Sequence, residues 1–299
     1  MIKSFDELIQ RVKEFPTKKV AIPGADTEAA IQAAISAKNE NIADFLLIGN
    51  KDKILSFIKT IDKEMCDSFE IIDEPDLDAA VQRAIDSIHQ KRAELILKGK
   101  TSTSQLMKGC LDKERGLQTG KLLSDVFVFE TKERLTLMSD GGIILYPDLE
   151  QKAAIIENAV AVAHHLGNQN PKVAILSAVE TLNPKMPSTL DAALLAQMNK
   201  RRQIKGCIVD GPFALDNAVS ETAAKIKGIE SPVAGDADVL IVPTIEAGNI
   251  LGKALTYYAH LRVAHVVMGA KVPILITSRA DTAEVKLHSI ALGMICAEK

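Results

Sequence analysis

Tryptophan is absent from this 299-residue chain, and aromatic residues make up only 4% of it. Any apolar pocket is therefore expected to be walled by aliphatic and methionine side chains. The composition is also not that of a disordered protein, because 47% of the residues are hydrophobic and 25% are charged, as in ordinary globular proteins. The chain is longer than most single domains with one hydrophobic core, which predicts two domains.

Only four cysteines occur, and no two of them form a CxxC pair. Neither a disulfide framework nor a zinc site is expected, and reduced thiols are typical of cytoplasmic proteins. The first six residues include an acid and do not lead into the apolar segment of a signal peptide. No apolar run approaches the roughly 18 residues that a membrane span needs. These features predict a cytoplasmic protein.

Positive charge is not concentrated in any segment, since the formal net charge is −3 and the lysines and arginines are scattered. Nucleic-acid binding needs a basic surface, and attachment to a membrane surface needs a basic amphipathic helix or an anchor. The sequence shows neither feature. No nucleic-acid partner and no membrane partner are therefore expected.

Short apolar segments alternate with longer segments of helical periodicity along most of the chain. Strands are predicted near residues 19–22, 43–48, 69–72, 94–97, 173–176, 207–209, 238–242 and 272–276. Helices are predicted between them, among others near residues 27–38, 76–89, 103–111, 151–166, 189–202, 215–227 and 249–268. Strands separated by helices of this length indicate βαβ units and a largely parallel sheet.

The alternation breaks at residues 126–129 and 135–138. These two strand-like segments are separated only by the charged turn 130–134. A parallel crossover needs a dozen or more residues, so we expect this pair to be antiparallel. The break also marks the predicted passage between domains.

The segment 276–284 is the most informative feature of the sequence. Its polar side chains lie where a buried strand meets a helix N-terminus, and they are Ser278, Arg279, Asp281 and Glu284. Free amide groups and the helix dipole favour an anion at such a point, and Arg279 could bind phosphate through two parallel hydrogen bonds. The alternative is a simple helix start, with Asp281 as N-cap and Glu284 completing a capping box.

Other loops that follow predicted strands are also candidate binding segments, because ligands of open α/β sheets bind beyond the carboxyl ends of the strands. Loop 177–189 is long for such a connection. Its Ser188 and Thr189 could bind a ligand or merely cap the next helix. Residues 210–217 begin with Asp210 and a Gly-Pro turn.

Two further loops have a composition suited to ligand binding. In residues 243–249, Gly248 permits close approach of the backbone, and Asn249 can cap a helix while presenting its amide to a ligand. Residues 98–104 place two lysines and four hydroxyl groups at a helix N-terminus, which suits a phosphate-rich ligand. Without a ligand role, residues 243–249 would be an ordinary turn, and residues 98–104 would be polar loop residues in contact with solvent.

Several familiar motifs are missing. Residues 248–254 resemble a P-loop, but the glycines are too close together and Ala254 replaces the hydroxyl residue that binds magnesium. There is no GxGxxG fingerprint of a dinucleotide site and no GxSxG nucleophile elbow. Asp236 and Asp238 could ligate magnesium, although two acids before a strand are commonly turn residues.

Taken together, these loops resemble the phosphate acetyl/butyryltransferase family. The matching segments keep their order and spacing over most of the chain, and they are residues 97–99, 106–109, 183–192, 209–218, 234–240, 245–249 and 277–281. The Ser-Arg-Ala-Asp sequence and the Asp-Gly-Pro segment are closer to the butyryl branch than to the acetyl branch.

The resemblance implies an α/β fold of the isocitrate/isopropylmalate dehydrogenase type, with two α/β/α domains and a cleft between them. The first domain would comprise residues 1–133 plus 272–299, because the C-terminal strand and helix return to it. The second would comprise residues 134–271. We also expect a homo-oligomer, either a dimer or an assembly of dimers.

The implied reaction converts butanoyl-CoA and orthophosphate into butanoyl phosphate and CoA. By resemblance, Ser278 and Arg279 contact the acyl phosphate. The acetyl branch has a catalytic base on the following helix, but Val285 falls at that position here. Glu284 beside it and Asp281 upstream are the candidate carboxylates.

Lys108 aligns with an arginine of the acetyl branch, so the positive charge remains while the bidentate fork is lost. The other candidate substrate-binding residues are Thr101, Thr103, Ser188, Thr189, Asp210, Gly248 and Asn249. Acyl-CoA and orthophosphate are the implied partners. CoA is a substrate, and neither a cofactor nor a metal ion is expected.

Direct attack of the CoA thiolate on the acyl phosphate is the expected mechanism, because no convincing protein nucleophile is visible. Three alternatives stay open at this point. The acyl group could be acetyl, or the chain could be a non-catalytic CoA-binding regulatory module. It could also be a metal-dependent hydroxyacid dehydrogenase that uses Asp236 and Asp238 on the same scaffold.

Overall fold

The chain divides into two compact units. The computed structural model describes residues 1–278 and 280–298, so Arg279 and Lys299 lie outside the described residues. The central unit comprises Met1–Ser4 and Leu122–Arg262, and the terminal unit comprises Phe5–Lys121 and Val263–Lys299.

The terminal unit begins with a helix and then alternates strands and helices. In chain order these are α1 (Phe5–Val12), β1 (Lys18–Pro23), α2 (Glu28–Asn39), β2 (Ala43–Gly49), α3 (Lys51–Ile61), β3 (Glu70–Asp73), α4 (Leu77–His89), β4 (Leu95–Leu97) and α5 (Thr103–Cys110). The side chains of Thr27, Asn50 and Asp76 accept amide hydrogen bonds in the first turns of α2, α3 and α4. These caps explain why the helices begin where they do.

The central unit opens with two strands before helices and strands alternate. In chain order its elements are β5 (Ser124–Glu130), β6 (Leu135–Ser139), α6 (Leu149–His165), β7 (Lys172–Leu176), α7 (Pro187–Lys200), β8 (Ile208–Phe213), α8 (Leu215–Val219), α9 (Glu221–Ile226), β9 (Val239–Ile241) and α10 (Ile245–Tyr257). The sheet order is β5-β6-β9-β7-β8. Strands β5 and β6 pair antiparallel, as predicted, and the other neighbours pair parallel. The carboxyl ends of β6 to β9 therefore share one edge.

The chain returns to the terminal unit with β10 (Val263–Met268), β11 (Ile274–Leu275) and α11 (Ala283–Cys296). The sheet order there is β3-β2-β1-β4-β11-β10, with only β10 and β11 antiparallel among these described pairs. Helix α11 packs against α2 and β10 and is buried along almost its whole length. In the described part of the chain, no helix has the length and hydropathy to cross a membrane.

Two predicted helices were wrong in part. The helix predicted over residues 249–268 ends at Tyr257, and residues 263–268 form β10, because their valines favour the extended conformation of a sheet. The helix predicted over residues 215–227 is interrupted at Ser220, whose backbone is extended (φ −128°, ψ 111°) and whose side chain caps α9. The sequence pattern also missed α1.

The divisions between the units fall after residues 121 and 262, whereas the sequence placed them after residues 133 and 271. Both differences follow from strand pairing. Strand β5 stays with its hairpin partner β6, and β10 stays with its partner β11.

Gly99 lies where the loop after β4 meets the loop after β1. A Cβ atom on Gly99 would approach the Gly24 carbonyl oxygen to 2.3 Å, and this backbone atom cannot rotate away. Gly99→Ala is therefore expected to lower the free energy of unfolding by about 1–3 kcal/mol, the usual cost of overpacking. Urea denaturation measures this change.

Gly252→Ala is the matched control for that experiment. A Cβ atom on Gly252 would meet nothing closer than 3.5 Å, and alanine is favoured over glycine inside a helix. We expect Gly252→Ala to be at least as stable as the wild type. Equal stability of Gly99→Ala and wild type would contradict the described loop contact.

Candidate active site

In the terminal unit, two loops meet at the carboxyl edge of the sheet. They are residues 24–27 after β1 and residues 98–102 after β4. The Lys100 amide donates to the Gly24 carbonyl (2.7 Å), and the Lys100 ammonium lies 3.3 Å from the Asp26 carboxylate. The backbone thus fixes the second loop and leaves a half-exposed lysine at its surface.

Thr101 and Thr103 lie at the start of α5, in the segment predicted to bind phosphate. Ser102 caps α5 and forms a reciprocal capping box with Gln105, so its hydroxyl is committed to the helix. The Thr101 hydroxyl is fully buried and finds no hydrogen-bond partner within residues 1–278 and 280–298. A buried polar group without a partner costs about 1–3 kcal/mol, so a ligand atom at this point would relieve that cost. Thr103 is half-buried.

Lys108 lies in the last turn of α5, and its side chain is exposed. No ion pair joins it to any acid in the described part of the chain. A lysine on an unpaired, exposed position can bind an anion without first breaking an internal contact.

In the described residues between β11 and α11, hydrogen bonds join Ser278 to Asp281. The Ser278 amide donates to the Asp281 carboxylate (2.6 Å), and the Asp281 amide donates to the Ser278 carbonyl (3.2 Å). The Ser278 side chain is exposed. Arg279, the predicted phosphate ligand, lies outside the described residues.

The alternative interpretation of residues 281–284 as a capping box is wrong. The N-cap is Thr282, whose hydroxyl accepts from the Val285 amide (3.3 Å). The Asp281 carboxylate accepts from the Ser278 amide instead, and the Glu284 carboxylate lies 3.8 Å from His288 one turn further along. Glu284 is exposed, whereas Val285, at the position of the acetyl-branch base, is buried.

Lys286 was missed by the sequence prediction although it lies in the first turns of α11. Its side chain is only 6% exposed, and its ammonium donates to the Asp281 carbonyl (2.6 Å). Burial lowers the pKa of this amine, and the Asp281 carboxylate partly opposes the shift. The contact ties Asp281, which accepts from the Ser278 amide, to the helix. A lysine beside Val285 in an apolar helix was the available signal.

In the central unit, the long loop after β7 is held together by its own hydroxyl groups. The hydroxyl oxygens of Ser177 and Ser188 lie 2.8 Å apart. The fully buried Thr189 hydroxyl accepts from the Asn183 amide (3.0 Å) and donates to the Met186 carbonyl (2.8 Å). Helix α7 begins before both candidate residues and has no side-chain cap, so neither Ser188 nor Thr189 is its N-cap.

The same loop is tied to α8 through Glu180. Its carboxylate accepts from the Asn217 side-chain amide (3.1 Å) and lies 3.2 Å from the Lys227 ammonium. Asn217 is fully buried, and its side-chain oxygen has no partner among the residues that the structure describes. Asp210 lies within β8 and not in the loop where it was predicted, and its carboxylate accepts from the Gly211 amide (2.9 Å).

Asp140 directly follows β6, and the sequence prediction missed it. Its carboxylate is 3% exposed and accepts from four amides, those of Gly142 (2.7 Å), Ile143 (2.9 Å), Ile144 (3.2 Å) and Asp125 (3.2 Å). Burial raises the pKa of Asp140 to about 6, and the neighbouring Asp125 carboxylate adds to the shift, while the Gly142 and Ile143 amides oppose it. The Asp-Gly-Gly sequence after a strand was the available signal.

The first turns of α10 pack on the turn that Asp140 closes. A Cβ atom on Gly248 would come within 2.8 Å of the Gly141 Cα atom, so this contact requires glycine. Asn249 donates its side-chain amide to the Gly141 carbonyl (3.2 Å), and the residue is exposed. Because α10 begins at Ile245, Asn249 is not the helix cap that the sequence suggested.

The buried thiols and the acids before β9 are not placed as a nucleophile or as metal ligands. Burial raises the pKa of Cys110 to about 12 and that of Cys207 to about 11, so neither thiol is activated as a nucleophile. Arg134 binds Asp236 (2.7 Å) and Asp238 (2.9 Å) at the amino end of β9. This ion pairing, at the edge opposite the candidate loops, opposes the magnesium-ligand alternative.

Hydroxyl groups, amides and lysines thus stand at the carboxyl ends of parallel strands in each unit. This arrangement is typical of α/β enzymes that bind anionic small molecules. The chain belongs to the family described as Phosphate acetyl/butaryl transferase, whose sequence model matches residues 76–294. The resemblance drawn from the loops is therefore confirmed.

The chain is similar to known members of that family over nearly its whole length. Phosphate butyryltransferase of Clostridium acetobutylicum is 46% identical over 299 residues, which cover 99% of both chains. Phosphate acetyltransferase of Thermotoga maritima is also 46% identical, over 94% of this chain and 95% of its own. The crystal structure of a branched-chain phosphotransacylase from Enterococcus faecalis has a TM-score of 0.85 and 33% identity, over 94% of this chain and 99% of that one. The predicted fold class is confirmed.

The raised pKa of Asp140 predicts a specific dependence of stability on pH. Between pH about 4, where an ordinary aspartate titrates, and pH about 6, the folded protein binds more protons at this site than the unfolded chain. Stability from this group is therefore lost as the pH rises through that window. The unfolding free energy of wild type minus that of Asp140→Asn should fall by at most about 1.4 kcal/mol per pH unit. Urea titrations at several pH values measure it, and a difference independent of pH would contradict the shift.

Proposed function

We propose that the chain is an acyltransferase that exchanges CoA and phosphate on a short acyl group, preferably butanoyl. An oxygen of orthophosphate attacks the thioester carbonyl, and the CoA thiolate leaves. In the reverse direction the thiolate attacks the acyl phosphate and orthophosphate leaves. The observation that carries the proposal is the family match over residues 76–294, which includes the candidate loops of both units.

The proposed mechanism is direct displacement with no acyl-enzyme intermediate. The thiols of Cys110 and Cys207 support it, because burial raises their pKa values and so keeps them from forming the thiolate, which is the nucleophilic form of cysteine. Cations and amides at the loops would stabilise the developing oxyanion and the phosphate. No metal ion or further cofactor enters this proposal. Glu284 and Asp281 are the proposed candidates for the base towards the CoA thiol.

The preferred acyl group is proposed from the loop sequences and not from overall similarity. The butyryltransferase and the acetyltransferase relatives are both 46% identical to this chain, so identity does not separate the two branches. Pockets distinguish one methylene group by only about 1–3 kcal/mol. Butanoyl-CoA is proposed as the best substrate, with propionyl and valeryl forms accepted.

Phosphate-dependent release of free thiol from acyl-CoA tests the proposal. We expect release from butanoyl-CoA that is unaffected by EDTA, and a maximum of kcat/KM at C4 across C2 to C6 substrates. A maximum at C2 would move the chain to the acetyl branch. No release from any substrate, together with calorimetric binding of CoA, would favour the non-catalytic binding module. Loss of activity in EDTA would refute the metal-free mechanism.

Arg279 is expected to dominate phosphate recognition. Arg279→Lys keeps the positive charge but loses the bidentate fork, so kcat/KM should fall at least about tenfold with the fold intact. Arg201→Lys is the matched control, because Arg201 is an exposed residue at the end of α7. It should leave both kcat and KM unchanged. Normal activity of Arg279→Lys would assign the Ser-Arg segment to turn formation alone.

We also propose a homo-oligomer, either a dimer or an assembly of dimers, that acts in the cytoplasm. The apolar surface of α10 supports the first point, since Ile250 and Tyr257 are 69% and 52% exposed. A groove of about 400 Å³ beside it is lined in part by Leu215, Val219 and Leu255. The four free cysteines support a reducing compartment.

A further inference from the structure

We propose that Asp140 is a positioning residue for the substrate site and that it acts on Asn249 through the Gly141 carbonyl. The inference rests on the proposed function, because Asn249 is one of the proposed substrate-binding residues. It assigns a role to a buried carboxylate that does not itself touch the substrate.

The first argument is that this position requires a carboxylate. Oδ1 of Asp140 accepts from the amides of Gly142 and Ile143, and Oδ2 accepts from those of Ile144 and Asp125. Both oxygens are therefore used as acceptors. Asparagine has nearly the same shape, but its NH2 group would face two of these amides. Two donors would then meet, and those two hydrogen bonds would be lost.

The second argument is the chain of contacts from Asp140 to the surface. The turn that its carboxylate closes presents the Gly141 carbonyl to the Asn249 side chain (3.2 Å). The backbone of Gly141 lies against Gly248, where no side chain would fit. The Ile245 amide at the start of α10 also donates to the Leu145 carbonyl (3.0 Å). A displaced turn would consequently displace Asn249.

The third argument is energetic. Burying a charged carboxylate costs more than burying an apolar side chain of similar volume, even when hydrogen bonds compensate it. Stability alone therefore does not explain a charged group at this position. The need for a fixed geometry at the carboxyl edge of the sheet explains the charged group, because each of the four amides that bind it has a definite direction.

A double-mutant cycle on steady-state kinetics tests the inference. Asp140→Asn and Asn249→Ala are each expected to raise the KM for orthophosphate about tenfold, with kcat changed less than about threefold. If Asp140 acts through Asn249, the double variant should also show about a tenfold rise, and not the hundredfold rise of independent effects. A purely structural carboxylate would lower thermal stability without this coupling.

Asp148→Ala is the matched control in the same unit. Asp148 caps α6 by accepting from the Gln151 amide (2.8 Å), so its loss should lower Tm. It should leave the KM for orthophosphate unchanged, alone or combined with Asn249→Ala. If Asp140→Asn does not fold, Gly141→Ala replaces it, because its Cβ atom would press on the Gly248 backbone at 3.0 Å.

Unchanged KM in Asp140→Asn, or multiplicative effects in the double variant, would overturn the inference while the proposed function stands. A wild type that releases no thiol would refute the proposed function instead. In that case the double-mutant cycle would use the dissociation constant of orthophosphate, measured by calorimetry, in place of KM. Coupling between Asp140 and Asn249 in that constant supports the inference, and its absence overturns it.

Discussion

Contact between backbone atoms of neighbouring loops is the constraint on which both candidate binding regions depend. In the terminal unit Gly99 lies against Gly24, and in the central unit Gly248 lies against Gly141. A side chain at either contact would separate the loops, because close-packed backbone atoms cannot move aside as a flexible side chain can. These contacts fix the polar loops through backbone atoms. Hydroxyl and lysine side chains can therefore stand at the strand ends without being drawn into the core.

Buried charge performs a related task in each unit. Asp140 and Lys286 are almost fully buried, and the partners that the structure gives them are mainly backbone groups: four amides for the first and the Asp281 carbonyl for the second. Backbone groups have fixed positions, so a charged side chain bound to them defines the geometry of a turn. The backbone partners of both side chains lie in or beside candidate substrate segments. Their cost in desolvation is better explained by this geometry than by stability.

Most of the fold could be predicted from the sequence, because parallel strands and amphipathic helices differ in the period of their apolar residues. The errors at Ser220 and at residues 263–268 lie where an apolar helical period continues across a segment whose conformation is decided by capping or by pairing within the sheet. The candidate loops could also be predicted, since glycine and hydroxyl residues there have a clear composition. Asp140 and Lys286 were missed, because the sequence marks their positions, after a strand and within an apolar helix, but does not reveal their burial or their backbone contacts.

Hydrogen bonding separates candidate residues that the sequence treats alike. Thr101 and Thr189 both stand at the start of a helix that follows a parallel strand, but the structure gives their hydroxyls different surroundings. The Thr189 hydroxyl is bound within its own loop, so a ligand would have to displace a hydrogen bond with a net value of about 1 kcal/mol. The Thr101 hydroxyl is fully buried and has no partner among the described residues, so a ligand that contacted it would displace no hydrogen bond but would require the loop after β4 to open. The hydrogen bonds of Thr189 therefore assign it to support of its loop, whereas those of the described residues assign no such role to the Thr101 hydroxyl.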